Sequence, residues 1–168
     1  MFAHWDSYYL LIGTAAGALI GLLFVVATLN AGRDVSTVSR GTQTYLTPTV
    51  FHFAMVVIVS ALATAPELPA RFIGLALGAC ALAGLLYSVW ICVRLSQNKL
   101  EGQHWSDFWY FGAAPVATYL GLGATAAAVW AAPAAVPYGT AFLLLVLMLV
   151  GIRNAWDLVT WLAPRTKR

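Results

Sequence analysis

Five apolar runs, each near or beyond the length a helix needs to cross a bilayer, limit what this chain can fold into. About 20 helical residues span the hydrocarbon core, and a backbone there must satisfy its own hydrogen bonds. The runs lie at about residues 7–29, 46–64, 71–95, 106–130 and 138–162. Composition agrees with that reading. Hydrophobic residues make up 61% and charged residues 9%, whereas soluble domains are about 25% charged. Too little polar surface is left to cover a globule in water. The expected fold is all-α: one integral membrane domain over residues 1–168, a five-helix transmembrane bundle in contact with the lipid bilayer.

Basic residues then set the orientation. An odd number of spans places the termini on opposite sides. One side collects Arg33, Arg40, Arg94, Lys99, Arg165, Lys167 and Arg168, and the other only Arg71. The positive-inside rule puts the C-terminus in the cytoplasm and the N-terminus outside. A four-span reading would leave one apolar run out of the bilayer, and none is a candidate. The net charge of +3 does not point to nucleic acid, because the basic residues are scattered between spans and at the tail. The start, MFAHWDSYY, lacks a basic n-region, so the first span is expected to be kept rather than cleaved.

Within the spans, small residues recur at helical spacing. Gly13, Gly17 and Gly21 form a doubled G-x-x-x-G stripe, and Gly74, Gly78, Ala81 and Gly84 repeat the theme in the third span. Such stripes let helix backbones approach closely, within one chain or between copies. Trp5, Tyr8 and Tyr9 predict an aromatic belt at the mouth of the first span, which Asp6 or Ser7 can cap. Pro48 falls in a first turn, where a missing N–H matters least, while Pro115 predicts a kink in the fourth span. APELPA at 65–70 is a tight turn between antiparallel helices. Cys80 and Cys92 are twelve residues apart, about 18 Å along one helix, which excludes a disulfide between them. They are expected to be packing residues. HWDSYY at 4–9 and HWSDFWY at 104–110 echo each other. Inverted repeats would do this, and so would two interfacial aromatic clusters beside a helix cap.

Four runs, GLLFVV from Gly21, YLTPTVFHF from Tyr45, HWSDFWYFG from His104 and GIRNAWDLVTWLAP from Gly151, together resemble a family of small multi-pass bacterial inner-membrane proteins. The resemblance spreads over most of the chain. It implies a bacterial inner-membrane location and carries over no activity and no functional residue.

The strongest lead to function is the last of those runs. Arg153 and Asp157 are four residues apart and can pair on one helix face. That face, about 100° wide, also carries Trp156 and Thr160, and it is expected to turn toward the bundle interior. If Trp161 marks the inner interface, Arg153 lies about 12 Å deeper, where an unpaired charge is costly. With this topology His52, Asn154 and Asn30 fall in the same half, so a polar vestibule of His52, Arg153, Asp157, Asn154 and Asn30 is expected to face the cytoplasm. Two other readings stand beside it. The ion pair can serve only to pin the fifth helix, or the fifth span can end near Ile152, the rest being an interfacial helix.

His52 is the only histidine expected inside a span. A neutral ring with one hydrogen-bond partner on a neighbouring helix is the plain reading, and a proton relay or ligand site the sharper one. The usual bis-histidine haem site would need a second intramembrane histidine from another chain, so no cofactor is expected. No metal motif and no catalytic motif is present: there is no G-x-S-x-G, H-E-x-x-H, C-x-x-C or phosphate-binding glycine loop. The chain is therefore not expected to be an enzyme.

Two functions from different classes follow. One is a homo-oligomeric channel or transporter subunit for an ion, proton or small anion, since five helices are few for a monomeric transporter. The other is a structural or accessory subunit, binding a larger membrane complex through its glycine faces without transport. The topology itself is open to test. Reporter fusions at Glu67 and Arg168 are expected to report opposite sides of the membrane; the same side for both would overturn the count of five spans.

Overall fold

The computed structural model describes residues 1–2, 4–29, 46–97 and 108–162, the last two by backbone alone. Each expected run is a helix. The helices are α1 (Asp6–Leu29), α2 (Thr47–Thr64), α3 (Ala70–Gln97), α4 (Ala114–Ala131) and α5 (Val136–Leu162). A π-helical turn, Phe108–Ala113, leads into α4, and a 3-10 turn, Pro133–Ala135, leads into α5. No strand occurs among the described residues. With the π turn counted into α4, all five are long and apolar enough to cross a membrane.

Prolines punctuate these elements for a steric reason: the residue before a proline is pushed out of the helical region. α2 stops at Ala65, extended at ψ 131°, just before Pro66. α4 stops at Ala132, just before Pro133. The turn between α2 and α3 contains Glu67 at φ 53°, the single positive-φ non-glycine residue among those described. By contrast α5 runs without a break through Ile152 to Leu162. The helix therefore has no break at Ile152.

α1 packs chiefly on α2, and α3 chiefly on α4; α5 joins the two pairs by touching α1, α2 and α4. The contacts sort the helix ends into two sets. At one, the Trp5 end, a cavity of about 570 Å³ is walled by Trp5, Leu68, Ile73, Pro133, Pro137 and Tyr138. There α1 is tied to the start of α5: the Tyr8 hydroxyl donates to the Ala141 carbonyl at 2.8 Å, and that of Tyr9 to the Pro137 carbonyl at 2.7 Å. Tyr9 is fully buried, so it is a tether between helices and not part of an exposed aromatic belt. At the other, the Tyr110 end, the π turn packs on the last turns of α3 through Ile91, Leu95 and Phe111.

The glycine stripe of α1 divides. A Cβ on Gly13 would lie 2.8 Å from Ser60 Cβ, so α1 and α2 approach too closely there for a side chain. Gly17 and Gly21 have nothing within 4 Å of such an atom and face outward. The reason is helical phase. Every fourth residue drifts by about 40° per step, whereas the buried face follows Tyr9, Ile12, Ala16 and Leu23, close to a seven-residue repeat. In α3, Gly74 lies against the Trp130 ring, while Gly78 makes only an ordinary contact with Ala126 at 3.9 Å.

These placements give opposite expectations for two neighbouring glycines. Gly13→Leu should overpack the α1–α2 contact and cost about 1–3 kcal/mol. Gly17→Leu should leave the single-chain fold as stable as wild type. Unfolding both by denaturant titration in mixed micelles is the check, and equal losses would mean that α1 is rotated from the position described.

Candidate functional site

The polar side chains of the Tyr110 half are assembled around an irregularity of the backbone. Pro115 has no N–H. In a π turn the carbonyl of residue 110 looks for the N–H of residue 115, and none is there. The Asn154 side chain supplies the missing donor: its Nδ2 meets the Tyr110 carbonyl at 3.1 Å. Pro115 therefore acts through a wide turn whose freed carbonyl is taken up by a neighbouring helix, as interrupted helices in apolar surroundings require.

Asn154 is completely buried, at 0% exposure. Having spent its amide N–H on Tyr110, it keeps Oδ1 without a hydrogen-bond donor among the described residues. Next to it on α5, the Arg153 guanidinium lies over the Tyr110 ring, 4.2 Å from the centroid. Arg153 also donates to Asp157 and pairs with it. Tyr110 is thus gripped twice, by its carbonyl and by its ring. The pairing has a local cause. Asp157 follows Arg153 by four residues, which brings the two side chains to one face of α5.

The expected inward turn of this face is not what the structure has. Arg153 and Asp157 are 39% and 40% exposed, and Trp156 beside them is 69% exposed. The face lies on the flank of the bundle because Asn154 and Leu158, one position further round, take the buried side. In water a half-exposed i,i+4 pair contributes only about 0.3–0.5 kcal/mol.

His52 does not join this group. It is 1% exposed, and its Nδ1 lies 3.0 Å from the Tyr119 hydroxyl on α4. Its ring also neighbours Tyr87 on α3, 6.4 Å between centroids. The slot toward α5 is taken by the next residue, Phe53, whose ring packs so closely on Gly151 that a Cβ there would lie 2.6 Å away. Successive helix residues point about 100° apart, so His52 and Phe53 serve different neighbours. The expected vestibule is therefore two separate polar sites: Arg153, Asn154 and Asp157 at Tyr110, and His52 at Tyr119. Asn30 lies outside the described residues.

Tyr110, Tyr119 and Ser88 are additions that reading the chain did not single out, and Gly84 was read there only as one of a stripe of small residues. Tyr119 packs its ring on Gly84, whose missing side chain makes room for it. The signal for Tyr110 was its spacing, five residues before Pro115; for Tyr119 it was a polar aromatic at the edge of a small-residue run. Cys80 and Cys92 are free thiols, and Cys92 sits against Gly112. No group of three His, Cys, Asp or Glu side chains that could hold a metal forms among the described residues. Comparison with known proteins adds no relative: no family model, no curated protein and no solved structure matches the chain significantly.

The account of Pro115 and Asn154 makes a coupled prediction. Asn154→Leu should strand the Tyr110 carbonyl and cost about 1–3 kcal/mol. Pro115→Ala restores an N–H at 115, so in that background Asn154→Leu should cost markedly less. A double-mutant cycle of unfolding free energies measures the difference, and strict additivity would break the link between the two residues.

Proposed function

We propose that the chain is a small multi-pass protein of the bacterial inner membrane that moves protons or a small ion as a homo-oligomer. In this reading the Tyr110 end faces the cytoplasm, in line with the basic residues of the connecting segments and tail. One observation carries the proposal. A fully buried acceptor, Asn154 Oδ1, has no donor among the described residues and stands directly beside a half-exposed ion pair. A carbonyl-type oxygen beside an ion pair is suited to receive a proton donor or a cation. Intramembrane charge is tolerated where it lines such a polar cavity or pairs. The exposed flank of Arg153 and Asp157 supports the oligomer, since a second copy there would shield the pair from hydrocarbon and set the path between subunits.

A second reading rests on a different surface. The outward Gly17 and Gly21 of α1 would let a helix of a larger membrane protein pack closely, making the chain an accessory subunit without transport.

Purified full-length protein in liposomes separates the two. Transport predicts an oligomer of defined stoichiometry that carries proton, potassium or chloride flux under an applied potential. Asn154→Leu, and the double variant Arg153→Leu with Asp157→Leu, should keep the oligomer and reduce flux to that of protein-free vesicles. A monomer with no flux for any of the three ions would sink the transport reading.

A further inference from the structure

The junction of α2, α3 and α4 holds polar groups that the Asn154 site does not use. His52 commits Nδ1 to the Tyr119 hydroxyl, 3.0 Å away, and its Nε2 is buried with no hydrogen-bond partner among the described residues. Ser88 is 0% exposed, and its Oγ is likewise without a partner. Ser88 lies one helical turn from Gly84, the residue under the Tyr119 ring, and on the same buried face of α3. His52 and the buried face of α3 that carries Ser88 thus both pack on Tyr119, one at its hydroxyl and the other, through Gly84, at its ring.

We propose that this junction is an enclosed binding site for one small neutral hydrogen-bonding molecule of the size of water, held between His52 Nε2 and Ser88 Oγ. A buried polar atom left unmet costs about 1–3 kcal/mol, and a buried water typically meets about three such groups. Tautomerism makes a hydroxylic guest the right chemistry. If Tyr119 donates to Nδ1, Nε2 carries the proton and needs an acceptor. If Nδ1 donates to Tyr119, Nε2 is bare and needs a donor. A water-like molecule serves either case, and the Ser88 hydroxyl rotates to suit it.

Ions fit poorly. The groups packed on the ring are Tyr87 from α3, Tyr119 from α4 and Phe51 from α2 itself, all uncharged. No carboxylate or guanidinium among the described residues bonds to it. A metal would want further His, Cys or carboxylate ligands, and no such group forms among the described residues. The site is distinct from the Asn154 cluster, because Phe53 occupies the side of α2 that faces α5. It stands whether or not that cluster conducts.

The test uses the full chain in lipid bilayers with 15N-labelled histidine. His4→Asn and His104→Asn together leave His52 as the sole histidine. Solid-state NMR should then show a neutral imidazole whose Nε2 receives magnetisation from water protons. Ser88→Ala should weaken that transfer by about twofold or more, since one of the guest's hydrogen bonds is lost. Tyr119→Phe should shift the Nδ1 signal. An imidazolium pattern, or no transfer from water to Nε2 in the parent, would overturn the site. Transfer unchanged in Ser88→Ala would overturn the two-point geometry.

Discussion

In a bundle of helices this apolar, every backbone carbonyl that loses its helical partner must find a replacement inside the protein. That constraint acts on the far half of α5, while buried hydroxyls in need of an acceptor fix its start. There the Tyr8 and Tyr9 hydroxyls of α1 donate to the carbonyls of Ala141 and Pro137, which lie within the helical ladder. Toward its other end Asn154 donates to the carbonyl of Tyr110 in the π turn. The helix that joins the two halves of the bundle is therefore strapped at both ends by side chain to carbonyl hydrogen bonds, each crossing between elements. A helix tied in this way is held in rotation as well as position, which is why Arg153 lies over the Tyr110 ring.

Close packing supplies the rest of the order. Ring-on-glycine contacts recur: Phe53 on Gly151, Tyr119 on Gly84, Trp130 on Gly74. Each places a large flat side chain where a Cβ would collide, so each sets the rotation of two helices at once. Van der Waals contact of this kind gains importance where apolar surroundings remove the hydrophobic drive between helices. The π turn before Pro115 fits the same pattern, with Gly112 leaving room for the Cys92 side chain.

The polar chemistry sits within that frame at two levels. On the flank of α5 an ion pair is half open to its surroundings; at the α2–α3–α4 junction an imidazole is sealed in. Their separation follows from one pair of adjacent residues on α2. His52 looks toward α3 and α4, and Phe53 fills the contact with α5. A charged group and a buried imidazole thereby have different packing partners.

Much of the architecture was legible in the chain. Five apolar runs, a proline beside each tight turn and the i,i+4 spacing of Arg153 and Asp157 define helices, ends and ion pair, because these are local properties with a fixed period. Helix phase was less legible. Gly13, Gly17 and Gly21 read as one stripe, yet only Gly13 is packed within the chain, since a four-residue spacing drifts off a face that repeats nearer seven. Partner choice could not be read at all. Nothing in the order of residues links Asn154 to Tyr110, forty-four positions away, or His52 to Tyr119, sixty-seven away. Periodicity reports what a residue does along its own helix; which neighbour meets it is decided only when five helices pack and each buried polar atom has to take what lies across the gap.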